Sequence, residues 1–379
     1  MPHNTHSMLN MQSVRLIGVE YDRPHAHKGG LMRPGISSAF VLLAITALPA
    51  IGEPEPGAQP GTTPAGQASV HVQQHSFVLH DAKRDKDLPV RVVYPEQFAA
   101  DGPAPTIIFS HGAYGSGDMY SPLAFEWAMH GYIVILPTHS DSLAIEGNEK
   151  IREFFEGTLE RKRRQRRGEV RKGDMDFADW PNRPRDISFV IDSLDEVEKQ
   201  VPEIASRIDH DRIGVGGHSF GAFTTQLIGG TDPLGPGVFA DPRAICQLLI
   251  SPQGIGGLLA ESSWKGFTGP ALTISGDNDG GRNGEPAKPW RRDCFDHSPP
   301  DSQTLLWIDG AYHNFGGITG RVLPGPDHGP ANPHHVELVQ RASLAFWDHH
   351  LRDQSDDIDA FGAALQAAFE GEAVSIENN

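Results

Sequence analysis

Hydrophobic positions in this chain fall into short runs separated by polar, glycine-bearing turns, and the runs change character along its length. Alternation over Val70–Leu79 and again over Leu88–Tyr94 predicts two strands at a sheet edge. From Thr106–Ser110 onward the strand signals become continuously apolar, at Tyr132–Leu136, Ile213–Val215, Ile245–Ile250, Ala271–Ser275 and Thr304–Ile308. Runs of this kind suit strands buried on both faces. Helical periodicity fills the gaps. Pro122–His130 is one such segment, and Asp186–Val197 is another, with Ile187, Val190, Ile191, Leu194 and Val197 on one face. A helix running to Ile228 and two more at Val336–Leu351 and Ile358–Phe369 complete the pattern. Buried strands alternating with helices imply an α/β fold, a mostly parallel sheet of about eight strands with helices on both faces.

The N-terminal part departs from that pattern. Residues 1–31 are polar and patternless, and Met32-Arg33-Pro34 then leads into an apolar run from Ile36 to Ile51. A positive charge, an apolar core and small residues at its end predict a signal peptide within residues 1–52, with an uncleaved signal anchor as the alternative. Residues 53–68 form a Pro/Gly linker, and 69–379 read as a single domain. The irregular stretch 140–183, with its basic run Arg161–Arg167, is expected to form a partial cap. The expected location is therefore periplasmic or extracellular, as a monomer or homodimer.

A formal net charge of −17 argues against a nucleic-acid partner and against an anionic membrane surface. Only two cysteines occur, Cys246 and Cys294, so no disulfide framework builds the fold; a single bridge between them stays open. His25-x-His27, His334-His335 and His349-His350 lack carboxylates or cysteines at ligand spacing, so no metal is expected. No phosphate-cradling loop ending in Lys-Ser/Thr is present, and no cofactor is expected.

Candidate chemistry centres on Gly217-His218-Ser219-Phe220-Gly221, a Gly-x-Ser-x-Gly between a buried strand and a helix. That arrangement lifts a serine hydroxyl above a sheet on a tight strand-to-helix turn. With 42 glycines in the chain the motif is weak by itself. A serine needs a base oriented by an acid, and in such sheets these groups gather at the carboxyl ends of the strands. Of the 19 histidines, His111, His139, His218 and His313 lie next to such an end. His218 is expected to turn away from Ser219, His111 sits in the loop after Thr106–Ser110, and His139 comes too early for a Ser…Asp…His order. His313 leads. Asp277 and Asp279 both follow the Ala271–Ser275 strand; Asp279 is preferred because Asp277, nearer the strand, more often caps the turn. Oxyanion donors are expected from Phe220 and Ala113, with Tyr114 as the alternative to Ala113. Tyr114, Ser251, Gln253 and Trp264 are candidates for substrate-pocket walls, weighed evenly against core packing.

With those residues placed, the sequence resembles the α/β-hydrolase superfamily. Within it, the chain is most similar to the platelet-activating-factor acetylhydrolase and bacterial dienelactone-hydrolase-like group. The matching pieces are Ile108-Phe109-Ser110-His111-Gly112, His130-Gly131-Tyr132-Ile133-Val134, the Ser219 motif and His313-Asn314-Phe315. The resemblance implies Ser219 as nucleophile, His313 as base and Asp279 as acid. Dienelactone hydrolases use cysteine, and Ser219 departs from them toward ordinary ester hydrolysis. The expected reaction is hydrolysis of a small short-chain acyl ester through an acyl-enzyme. Rival readings are a polyester or peptide-bond hydrolase with the same machinery, and a non-catalytic envelope binding protein on this scaffold.

Overall fold

A computed structural model of the protein describes residues 71–98, 102–145, 180–233, 235, 237–281, 284–321 and 328–379. The expected signal segment and linker, and most of the expected cap with its basic run, lie outside the described residues. Among the described residues nine strands form one sheet: β1 (Val72–Asp81), β2 (Lys86–Pro95), β3 (Ala104–Ser110), β4 (Ile133–Pro137), β5 (Ile208–His218), β6 (Ala244–Ile250), β7 (Ala271–Asn278), β8 (Gln303–Tyr312) and β9 (Val374–Asn378). Their spatial order is β1-β2-β4-β3-β5-β6-β7-β8-β9. Strands β4, β3, β5, β6, β7 and β8 are mutually parallel; β1, β2 and β9 pair antiparallel at the two edges.

The continuous apolar runs are buried on both faces because helices cover both. Along β3, Ile107 and Phe109 join one core while Ile108 joins the other; along β4, Val134 and Leu136 oppose Ile133 and Ile135. That is the two-residue period of a strand. The first core packs under α1 (Ser121–Met129) with Leu123 and Trp127, and holds Phe346, Trp347 and Phe361 from the C-terminal helices. The second packs under α2 (Asn182–Asp192) and α3 (Leu194–Gln200), whose Ile187, Val190, Ile191, Leu194 and Val197 all enter it. The remaining helices used below are α4 (Phe220–Ile228), α5 (Pro333–Trp347) and α6 (Ile358–Ala368).

Three sequence expectations change in detail. The helix expected over Asp186–Val197 is two helices, broken at Ser193 where the backbone leaves helical geometry (φ −109°, ψ 11°). The sheet has a ninth strand, β9, whose five residues are too exposed and too short to read as a buried run. Strands β7 and β8 extend further than their apolar centres, which brings Asp277 into β7 and sets His313 immediately after β8. Neither cysteine is bridged: Cys246 is buried in one core cluster and Cys294 in another, and both thiols are free.

Candidate active site

The parallel direction of β3, β5, β6, β7 and β8 puts their carboxyl ends along one edge of the sheet, in that lateral order. Five loops therefore meet there: His111–Tyr114 after β3, Ser219 after β5, Ser251 after β6, Asp279 after β7 and His313 after β8. Residues scattered over two hundred positions of sequence become neighbours because adjacent strands lie about 4.8 Å apart.

Ser219 sits on a turn that only close backbone approach permits. Its φ is +57° with ψ −116°, outside the comfortable range of a residue with a side chain. A Cβ on Gly217 would lie 2.2 Å from the Gly221 carbonyl oxygen, and one on Gly221 would lie 1.9 Å from that of Ser110. Both glycines are therefore required sterically: the first lets the turn close on itself, and the second lets α4 lie against the end of β3. The Ser219 N–H is anchored by the Ile250 carbonyl at 2.9 Å.

The Ser219 hydroxyl donates to His313 Nε2 at 2.9 Å. His313 Nδ1–H donates to Asp279 Oδ1 at 2.6 Å, which fixes the tautomer that leaves Nε2 as an acceptor. Asp279 is fully buried and holds four partners. Its Oδ2 accepts the hydroxyls of Ser251 (2.6 Å) and Ser275 (2.8 Å), and its Oδ1 is 3.1 Å from the Arg291 guanidinium. Burial alone would raise this carboxyl's pKa, but Arg291, His313 and the Ser251 hydrogen bond pull it down to about 2. Arg291 is itself buried and donates to the carbonyls of Asp279, Ser251, Pro252 and Gly280 at 2.8–3.3 Å. Asp277 caps the other loop, accepting from Trp307 Nε1 at 2.8 Å and the Gly310 N–H at 2.9 Å.

The His218 ring is directed at Tyr120 and the His313 backbone. It bridges two loops: its Nε2–H donates to the His313 carbonyl (2.7 Å), and its Nδ1 accepts the Tyr120 hydroxyl (2.9 Å). Tyr120 in turn accepts the Gly112 N–H at 3.0 Å. Burial, then the neighbouring His313, keeps the His218 imidazole well below its usual pKa and hence neutral, as this pattern of one donor and one acceptor requires.

A second Ser–His–Asp chain runs behind the first. Ser110 donates to His139 Nε2 at 2.9 Å, and His139 Nδ1–H donates to Asp186 Oδ2 at 2.9 Å. All three are fully buried, and Asp186 is neutralised by Arg84 and Lys86 at 2.7 and 2.8 Å. The hydrogen-bond pattern alone therefore does not mark a reactive serine. The two differ in access: Ser219 and His313 are half-buried, whereas Ser110 and His139 have no exposed surface.

The Phe220 N–H begins α4, where helix N-termini favour negative charge. Ala113 and Tyr114 are half-buried, and Ala113 packs against the cluster that contains Phe220. Tyr114 spends its N–H on Asp141 Oδ2 at 3.1 Å. Two of the four pocket-wall candidates lie in the interior. Trp264 is fully buried in the core cluster with Leu227 and Phe267, and Ser251 is fully buried against Asp279, behind the acid. Gln253 is half-buried and its carbonyl accepts from Gln226 at 3.1 Å. Sequence reasoning missed Arg291, Ser251 as a support of the acid, and the bridge from His218 to Tyr120. Only the His218 position, adjacent to the serine, carried any local signal. Among the described residues no group of three or more His, Cys, Asp or Glu side chains is arranged to hold a metal ion.

Residues 69–166 match the family model of platelet-activating factor acetylhydrolase, isoform II. Platelet-activating factor acetylhydrolase of Canis lupus familiaris is 26% identical over 277 residues, covering 66% of this chain and 58% of that protein. The protein of the same name from Cavia porcellus is 27% identical over 160 residues, covering 36% of this chain and 35% of the relative. This chain thus spans about three fifths or less of the length of these relatives. Among solved structures, a ferulic acid esterase from Streptomyces cinnamoneus superposes with a TM-score of 0.51 at 16% identity, over 77% of this chain and 92% of that one. The chain has the α/β-hydrolase fold and resembles the acetylhydrolase group of serine esterases.

Proposed function

We propose that this α/β-hydrolase-fold chain is a carboxylic-ester hydrolase that cleaves short acyl esters through Ser219. The observation that carries the reading is the hydrogen-bonded path from an accessible Ser219 hydroxyl through His313 to a buried, ionised Asp279. His313 Nε2 takes the hydroxyl proton as Ser219 Oγ attacks the ester carbonyl, and Asp279 faces the imidazolium that results. The N–H groups of Ala113 and Phe220 receive the oxyanion. His313 then returns its proton to the leaving alkoxide. Water, deprotonated by the same imidazole, attacks the acyl-Ser219 ester and releases the acid.

The two acetylhydrolase relatives support an ester as the bond cleaved, and acetyl as the acyl size to test first. The apolar run Ile36 to Ile51 supports export of the protein. Among the described residues no helix is long and apolar enough to cross a membrane.

The test is hydrolysis of p-nitrophenyl esters of increasing acyl length by the full chain and by Ser219→Ala. The wild type is expected to release nitrophenol with a burst whose amplitude equals the enzyme concentration, fastest for the shortest acyl groups. Ser219→Ala should lose turnover by roughly 10⁴-fold or more. Turnover unchanged in Ser219→Ala would end the proposal.

A further inference from the structure

The loop His111–Tyr114 is held by an ion pair between a buried arginine and a half-buried aspartate. Arg183, on α2, is 2% exposed. Its Nη1 donates to the His111 carbonyl at 2.7 Å, and its Nη2 lies 3.3 Å from the Gly112 carbonyl. The same guanidinium forks onto Asp141, with Nε to Oδ1 at 2.9 Å and Nη2 to Oδ2 at 2.8 Å. Asp141 Oδ2 in turn accepts the Tyr114 N–H.

The loop backbone is tied down on both sides of Ala113. The His111 carbonyl goes to Arg183. The Gly112 N–H goes to Tyr120, and the Gly112 carbonyl accepts Arg183, the His111 Nδ1–H at 2.7 Å and, closing the turn, the Gly115 N–H at 3.1 Å. His111 Nε2 accepts the His139 N–H at 3.0 Å, so the proton of its ring resides on Nδ1. The Tyr114 N–H goes to Asp141. The Ala113 N–H has no hydrogen-bond partner among the described residues. A trans peptide is planar, with its C=O and N–H pointing in opposite directions. Pinning the Gly112 carbonyl toward Arg183 therefore aims the Ala113 N–H away from it. Arg183 also stacks on the ring of Phe220, its Cζ 4.3 Å from the centroid.

We infer that Arg183 and Asp141 are positioning residues that preset the Gly112–Ala113 peptide as one of the two oxyanion donors. The inference rests on the serine-hydrolase reading above. It also decides between the two candidate donors of the loop: Ala113 is available, and Tyr114 is committed to Asp141. Preorganisation of this kind matters because a donor that must rotate during the reaction gives back much of what it contributes, and one such donor is worth about 10²–10³ in kcat.

The test uses two variants of the full chain with kcat expressed per active site, titrated by the nitrophenol burst. Arg183→Lys keeps the charge but cannot hold two carbonyls and a bidentate carboxylate together. Asp141→Asn keeps the shape and weakens the fork. We expect kcat on p-nitrophenyl acetate to fall roughly 10–100-fold in Arg183→Lys and about 3–10-fold in Asp141→Asn. KM should stay within about twofold, and the pH at half-maximal kcat/KM should stay unchanged, because neither residue touches His313. A lower melting temperature with unchanged kcat per site would mean that the pair is structural only and would overturn the inference. Should Arg183→Lys not fold, an unchanged kcat per site in Asp141→Asn overturns it alone. Ser219→Ala run in parallel separates the two claims. If that variant is inactive while both others are unaffected, the serine reading stands and the clamp falls; if it is active, both fall.

Discussion

Replacing Asp279 by asparagine removes a negative charge from a fully buried position without changing its shape. The neighbours decide which way the new amide faces. The Oδ1 position looks at two donors, His313 Nδ1 at 2.6 Å and Arg291 at 3.1 Å. The Oδ2 position looks at the hydroxyls of Ser251 and Ser275, at 2.6 and 2.8 Å, and hydroxyls can turn to accept. The amide oxygen therefore takes the Oδ1 position, and His313 keeps its proton on Nδ1 and its lone pair toward Ser219. What is lost is charge: an imidazolium at His313 now faces Arg291 without a carboxylate beside it. Two unit charges about 4 Å apart interact by roughly 4 kcal/mol at an effective dielectric near 20. That corresponds to roughly a 10³-fold fall in kcat/KM on p-nitrophenyl acetate, at about 1.36 kcal/mol per decade. The assay is the initial rate at pH 8 together with ¹⁵N NMR of the histidine side chains. A fall smaller than about tenfold would refute the role of Asp279 as the acid. A proton found on Nε2 of His313 in the variant would refute the argument about how the amide is oriented.

Two further expectations concern the wild-type fold. Asp279 and Asp186 are both pulled from an ordinary 3.8 down to about 2 in the folded chain, against the upward push of burial; Asp279 by Arg291 and His313, Asp186 by its bonds to His139 and Lys86. A depressed folded pKa stabilises the protein above the unfolded value, so this stabilisation is present above about pH 4 and drains away between about pH 4 and pH 2. It amounts to about 2 kcal/mol for each group. Urea unfolding midpoints should fall across that window, and less steeply in Asp279→Asn; a flat profile would contradict the assigned partners. The Cys246 and Cys294 thiols are both free and buried, and burial pushes Cys294 up to about 11. A disulfide-exchange reagent should therefore find no reactive thiol in the native protein and two after denaturation. Rapid labelling of the native protein would show that one of the two sites is open.

What this sequence determined by itself was the local character of each element. Continuous apolar runs such as Thr106–Ser110 and Ala271–Ser275 are two-sided strands wherever helices exist to cover them, and residues 217–221 form a tight strand-to-helix turn because only glycine fits at its two ends. Strand ends also restricted the acid and base to a few residues, since a parallel sheet collects its loops on one edge. Tertiary structure decided everything that depends on what lies across a gap. Among the described residues two Ser–His–Asp chains have the same bonds, and burial alone makes one inaccessible and leaves the other reachable. Arg183 and Arg291 carry no pattern in sequence that separates them from surface arginines. They are buried at the sheet edge here because the loops after β3 and β7 leave carbonyl groups that a fork of donors satisfies. The same holds for Ser251 and Trp264, where a pocket wall and a buried support share one local signature until packing places them behind the site. Periodicity reports which face of an element is buried, and it says nothing about which polar group meets another across the sheet edge.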